Sequence, residues 1–136
     1  MMIRTLLTDD EPLARDRIKR YLRDESDIAV IGECGNGADA VAFIKKEHPD
    51  LVFLDIQMPE KTGFDVVRTL KPNELPTIIF VTAYDQYALQ AFEVHAIDYL
   101  LKPFTRDRIK RAVERARQHV EIRQRSDASD DRIAAL

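Results

Sequence analysis

Short apolar runs alternate with longer amphipathic stretches along this chain, and that alternation constrains its fold more than any other feature. Five runs read as strands: Ile3 to Thr8, Ile28 to Glu33, Leu51 to Asp55, Thr77 to Thr82 and Ile97 to Leu101. Strands that alternate with helical stretches predict an α/β fold on a parallel sheet, since each parallel neighbour needs a crossover to return the chain. Apart from Gly32 and Glu33 the runs are almost continuously apolar, which predicts strands covered by helices on both faces.

The intervening stretches carry helical spacing. The first helix is expected from Pro12 to about Asp24, with Ala14, Ile18, Tyr21 and Leu22 facing inward. Pro12 suits an opening turn, where a missing N–H costs nothing. A second helix uses Ala40, Val41 and Ile44 before Pro49, a third uses Val66, Val67 and Leu70 before Pro72, and a fourth spans roughly Gln86 to His95. The fifth places Ile109, Ala112, Val113, Ala116 and Val120 on one stripe. From about Gln124 the periodicity lapses and Ser126 to Asp131 are small and polar, so residues 1–122 are expected to be the domain and 123–136 a linker or disordered tail.

A chain of 136 residues, 45% hydrophobic, is enough for one core, and a net charge of −3 gives no overall nucleic-acid footprint. The lone Cys34 excludes an internal disulfide and fits a reducing compartment. No apolar run has the length of a bilayer span, and the first strand is too short for a signal-peptide core, so a cytoplasmic protein without a membrane contact is expected.

In an open parallel sheet, sites form beyond the carboxyl ends of the strands. The first expected strand runs into Asp9, Asp10 and Glu11, the third ends on Asp55, the fourth on Thr82, and the fifth runs into Lys102 and Pro103. Each has an ordinary structural reading: acids ahead of a helix N-terminus, an Asp opening a turn, a β-branched strand residue, a strand stop. Together they supply what a hard divalent cation needs, because Mg²⁺ takes oxygen ligands from one or two carboxylates, waters and a phosphate oxygen. Asp10 and Asp55 offer such carboxylates, and three crowded acids call for a counterion that Lys102 supplies only in part. A carboxylate also attacks phosphorus to give an acyl phosphate, and Asp55 is the candidate.

These residues resemble the receiver domains of two-component response regulators over residues 2–121. The likeness rests on Asp9 and Asp10, the segment LVFLDIQMP from Leu51 to Pro59, Gly63, Thr82 with Ala83, and Lys102 with Pro103 and Phe104. It implies a doubly wound, flavodoxin-like sheet of five parallel strands in the order 2-1-3-4-5. By the same resemblance Asp55 is the phosphoacceptor; Asp10, Asp55 and the Gln57 backbone carbonyl hold Mg²⁺, with Asp9 acting through water. Thr82 is the switch hydroxyl and Tyr99 the aromatic that reports its movement, although Tyr99 also reads as a half-buried strand aromatic. Lys102 binds phosphate and its bond to Pro103 is cis. The phosphodonor implied is a sensor histidine kinase, and DDEPLAR (Asp9 to Arg15) with VTAYDQYALQAFEVHAIDYLLKPF (Val81 to Phe104) resembles receivers joined to LytTR-type DNA-binding domains. The chain is then expected to be the receiver part of a longer transcriptional regulator, touching DNA only through an effector domain.

Residues Phe104 to Arg125 carry eight Lys or Arg against three acids, which reads first as a solvated helix face. The family adds a dimer through the fourth helix, fifth strand and fifth helix, in which Arg111 or Arg115 pairs with Glu93 or Asp98 of a second copy. His48, His95 and His119 have no metal-site spacing. Two other functions compete: a partner-binding module that works without phosphorylation, and an aspartyl-nucleophile phosphatase. Gln57 stands where haloacid-dehalogenase-type phosphatases place a second Asp. A nucleotide-binding domain is disfavoured because no glycine-rich phosphate loop follows the first strand.

Overall fold

In the computed structural model, which describes residues 1–94 and 96–135, for 88, 89, 92 and 127–135 by backbone alone, strands and helices alternate from the first residues onward. The elements are β1 (Ile3–Thr8), α1 (Pro12–Leu22), β2 (Ile28–Cys34), α2 (Gly37–Glu47), β3 (Leu51–Asp55), α3 (Gly63–Thr69), β4 (Thr77–Thr82), α4 (Ala88–Glu93), β5 (Asp98–Leu101) and α5 (Arg106–Ala135). Single 3-10 turns at Pro72–Glu74 and Asp85–Tyr87 precede β4 and α4. All strand pairs are parallel and the order is β2-β1-β3-β4-β5.

Successive strand residues point to opposite faces, and this splits the interior into two cores. Leu6, Val52, Leu54, Ile78 and Phe80 meet Ala40 and Ile44 of α2, Val66 and Val67 of α3, and Ala91 of α4. On the other face Leu7, Leu51, Phe53, Ile79 and Val81 meet Ile18 and Leu22 of α1 and the whole expected stripe of α5 from Ile109 to Val120. Two-sided burial holds for β3 and β4 throughout. It fails for β2, where only Cys34 is buried, because an edge strand has a neighbour on one side alone.

Local chemistry sets the helix ends. The Asn36 side chain accepts from Asp39 N at 2.8 Å to open α2, and Thr62 and Asp65 cap α3 reciprocally at 3.1 and 3.0 Å. α1 stops at Leu22 rather than Asp24. The fourth helix starts with a 3-10 turn and ends at Glu93; the expected end at His95 lies outside the described residues. Where the sequence predicts a linker or disordered tail, the backbone of 124–135 continues α5. Lapsed apolar spacing removed the sequence signal, but nothing in Ser126 to Ala135 breaks a helix, since neither Gly nor Pro occurs there. Among the described residues no helix is long and apolar enough to cross a membrane.

Candidate functional site

The register lines up the carboxyl ends of the three central strands. Thr8 pairs with Leu54 and Asp55 with Val81, so Asp9, one residue past β1, stands beside Asp55 at the end of β3. Thr82 pairs with Leu101, which puts Lys102 next on the same rim. Asp9, Asp55 and Thr82 are buried, Lys102 is half-buried, and Asp10 is exposed.

One carboxylate oxygen from each of Asp9, Asp10 and Asp55 lies within 4.8 Å of the others. Lys102 Nζ donates to Asp9 Oδ2 at 2.8 Å and lies 3.8 Å from Asp55 Oδ2. The other Asp9 oxygen accepts from Glu11 N at 2.9 Å, while Asp55 Oδ1 accepts from Gln57 N at 3.2 Å. Burial, and then the charge of Asp9, pushes the Asp55 carboxyl up to about 7 against the opposing pull of Lys102 and the Gln57 N–H. Burial also lowers Lys102, but its hydrogen bond to Asp9 and the charge of Asp55 more than offset this and hold it above the usual lysine value. Three acids face one ammonium, all donors are hard oxygens, and the group is short of positive charge: this donor set fits a Mg²⁺ ion.

Backbone contacts hold the rim in place. Ile56 N donates to Val81 O at 3.0 Å and Gly63 N to Ile56 O at 2.9 Å. A Cβ on Gly63 would stand 2.6 Å from the Asp55 carbonyl oxygen, so only glycine permits α3 to begin this close to the end of β3. The Lys102–Pro103 peptide is cis, in line with the resemblance. Thr82 Oγ1 accepts from Tyr84 N at 3.2 Å, which leaves its own hydrogen to donate. The Tyr99 hydroxyl donates to the Tyr84 carbonyl, so Tyr84 is gripped at both ends of its backbone by the two residues assigned to switching. Ala83, between Thr82 and Tyr84, is exposed.

The residues assigned to a dimer separate into two kinds. Asp98 is buried and committed within its own chain: Arg108 clasps it through two nitrogens at 2.7 and 3.1 Å, and Arg115 approaches to 3.7 Å. Asp98, expected as a partner for Arg111 or Arg115 of a second copy, is thus already paired within its own chain, where the β5 alternation turns it inward to meet Arg108. Glu93, Arg111 and Arg115 are exposed. Sequence reading missed Arg108, and it also missed Arg15, whose Nη1 donates to the Asp9 carbonyl at 2.5 Å while its Nε pairs with Glu33 at 3.1 Å. Arg15 lies about one turn into α1, on the face toward β2.

Cys34 is buried, and burial with the nearby charge of Asp39 pushes its thiol up to about 11, away from the thiolate form that redox chemistry needs. His119 bonds the Thr77 hydroxyl at 2.7 Å, and His48 closes α2 in the left-handed conformation.

Residues 5–114 match the family described as the response regulator receiver domain. The transcriptional regulatory protein BtsR of Escherichia coli K12 is 47% identical over 117 residues, which is 86% of this chain and 49% of BtsR. An uncharacterised response regulatory protein of Shewanella oneidensis is 48% identical over 117 residues, 86% of this chain and 50% of its own. The chain thus spans about half the length of the curated relatives it matches. Among solved structures, the REC domain of AraT, a response regulator from Geobacillus stearothermophilus, superposes with a TM-score of 0.82 at 27% identity, covering 91% of this chain and 99% of that one. The response regulatory domain of mrkE from Klebsiella pneumoniae gives 0.79 at 28% identity, over 88% and 98%.

Proposed function

This chain belongs to the response regulator receiver family, and from that premise we propose that it is switched by transfer of a phosphoryl group from a sensor histidine kinase to Asp55. The observation that carries the reading is the cluster of Asp9, Asp10 and Asp55 oxygens within 4.8 Å, with the Lys102 ammonium on two of them. Asp10, Asp55 and the Gln57 carbonyl would hold Mg²⁺, with Asp9 acting through water. The bound ion would neutralise the acids and the incoming phosphoryl oxygens.

A carboxylate oxygen of Asp55 bonds to phosphorus as the bond to the donor nitrogen breaks, and the donor imidazole keeps that electron pair. The transition state is loose and spreads negative charge over the phosphoryl oxygens, so the protein's work is to place positive charge and donors around them. Lys102 is already within 3.8 Å of Asp55 and needs only to turn from Asp9. Thr82 offers its unshared hydroxyl hydrogen, and Ala83 places a backbone N–H next to it. When Thr82 turns toward the phosphoryl group it gives up Tyr84 N, which loosens the residue that Tyr99 holds by its carbonyl. The charge on Asp55 is thereby relayed to β5 and α4.

The output would be a homodimer through α4, β5 and α5, with Glu93, Arg111 and Arg115 at the contact and Asp98 available only by exchanging its partner Arg108. A LytTR-type effector joined after α5 would carry the DNA contact, and the protein would act in the cytoplasm as a regulator that catalyses only its own phosphorylation and dephosphorylation.

A phosphate-affinity gel on the chain and on Asp55→Asn, each with Mg²⁺ and a small phosphodonor, tests the reading. One retarded band that the variant lacks is expected. Retardation of both proteins moves the acceptor elsewhere, and retardation of neither favours a binding module that needs no phosphoryl group. Sedimentation of the labelled chain as a monomer removes the dimer.

A further inference from the structure

Beside the three acids opens a groove of about 480 Å³, whose lining includes Asp10, Gln57, Thr62, Phe64 and Tyr87. A hydrogen bond joins two of its sides: Gln57 Nε2, from the loop after β3, donates to Tyr87 Oη, from the turn before α4, at 2.8 Å. The two partners are unequal. The Tyr87 ring stands edge-on to Phe64 at 5.9 Å, and Phe64 stands edge-on to the buried Phe80 at 5.0 Å, so the hydroxyl is presented by a ring seated on the core. Tyr84, gripped between Thr82 and Tyr99, packs on the same ring at 6.2 Å. Gln57, by contrast, is exposed and has a long side chain with rotamer freedom to lose. Its backbone N–H is the group that donates to Asp55 Oδ1.

We propose that Tyr87 is a positioning residue for the phosphorylated state: its hydroxyl straps the Gln57 side chain between the two loops that flank Asp55 and so slows loss of the phosphoryl group. The inference rests on Asp55 as the acceptor. In that loss a water oxygen bonds to phosphorus while the bond from phosphorus to the Asp55 carboxylate oxygen breaks. Asp55 keeps the electron pair, and the water's proton leaves with inorganic phosphate. A tethered Gln57 narrows the room that a water needs to approach phosphorus; an untethered one swings into solvent and opens it. Because Tyr87 also touches Tyr84, the strap sits on the residue that the switch moves, and the lifetime of the signal is tied to the conformation that reads it.

The full chain, Tyr87→Phe, Gln57→Ala and the double variant are labelled with Mg²⁺ and acetyl phosphate, the donor is removed, and the remaining phosphoprotein is followed on a phosphate-affinity gel. Phenylalanine keeps the ring against Phe64, so only the strap is lost. Each single variant is expected to shorten the half-life by about threefold or more, the scale of one hydrogen bond, and the double variant to be no faster than Gln57→Ala. An unchanged half-life in Tyr87→Phe, a longer one in Gln57→Ala, or an equal further shortening by Tyr87→Phe in the Gln57→Ala background overturns the proposal. Absence of label on the unaltered chain instead overturns the acceptor reading beneath it, so the two failures are distinct.

Discussion

Lys102 Nζ lies 2.8 Å from an oxygen of Asp9 and 3.8 Å from an oxygen of Asp55, so a single ammonium is shared unequally between two buried acids. Removing it leaves both without a cation. Lys102→Met is expected to lower unfolding free energy in metal-free buffer by about 1–3 kcal/mol, and added Mg²⁺ to restore part of the loss. Urea denaturation with and without Mg²⁺ measures both; an unchanged midpoint would show that the ammonium is not compensating these acids.

Asp55 carries the opposite sign. Burial and the charge of Asp9 hold its carboxyl at about 7, so the folded state favours the protonated form. The stability this contributes is complete below the ordinary carboxyl value near 4 and is lost as pH rises through about 7. In metal-free buffer above that pH, Asp55→Asn is expected to be more stable than the unaltered chain by an amount on the order of 1–4 kcal/mol. The gap should shrink in acid and on adding Mg²⁺. A pH series of melting curves checks this, and a variant less stable than the parent at pH 8 contradicts it.

The sheet and the site were legible in the sequence for different reasons. β1, β3 and β4 were found to the residue because strands buried on both faces are written as unbroken apolar runs, and their ends fell at once on Asp9, Asp55 and Thr82. β2 misled in burial because an edge position is decided by strand order, which local composition does not encode. The helical backbone past Gln124 left no mark in the apolar pattern, because helix can persist without an apolar stripe where no residue interrupts it. The roles of Asp98, Arg108 and Tyr87 were hidden because each depends on a partner brought close only by the fold: a β5 acid reached from α5, and a tyrosine reached from the loop after β3.

That buried acid gives a further expectation. Burial pushes the Asp98 carboxyl up, but the Arg108 hydrogen bonds, the Tyr99 N–H and the charges of Arg108 and Arg115 more than reverse this and hold it below the usual range. A depressed carboxyl contributes stability that is present above its unfolded value, near 4, and lost as pH falls through the folded one. Asp98→Asn is expected to cost about 1–3 kcal/mol at pH 7 and to show a shallower loss of stability on acidification. Equal acid profiles for the two proteins would mean that the pair does not form.

Gly63 tests the geometry of the loop after β3. A methyl group there meets the Asp55 carbonyl at 2.6 Å, and neither that backbone oxygen nor a Cβ fixed by its own backbone can turn aside. Gly63→Ala is expected to destabilise by about 1–3 kcal/mol and to weaken Mg²⁺ binding, because relief of the clash moves the loop that carries Gln57. Calorimetric titration with Mg²⁺ reads the second effect, and unaltered affinity would show that the loop tolerates the shift.

The identity of the phosphorylated atom decides the whole account. After labelling with Mg²⁺ and a small phosphodonor, borohydride reduces an acyl phosphate to the alcohol, and peptide mass spectrometry locates the reduced residue. The account predicts homoserine at position 55 alone, dependent on Mg²⁺. Label at any other residue, or none at position 55 under conditions where the chain is folded and binds the ion, would contradict it.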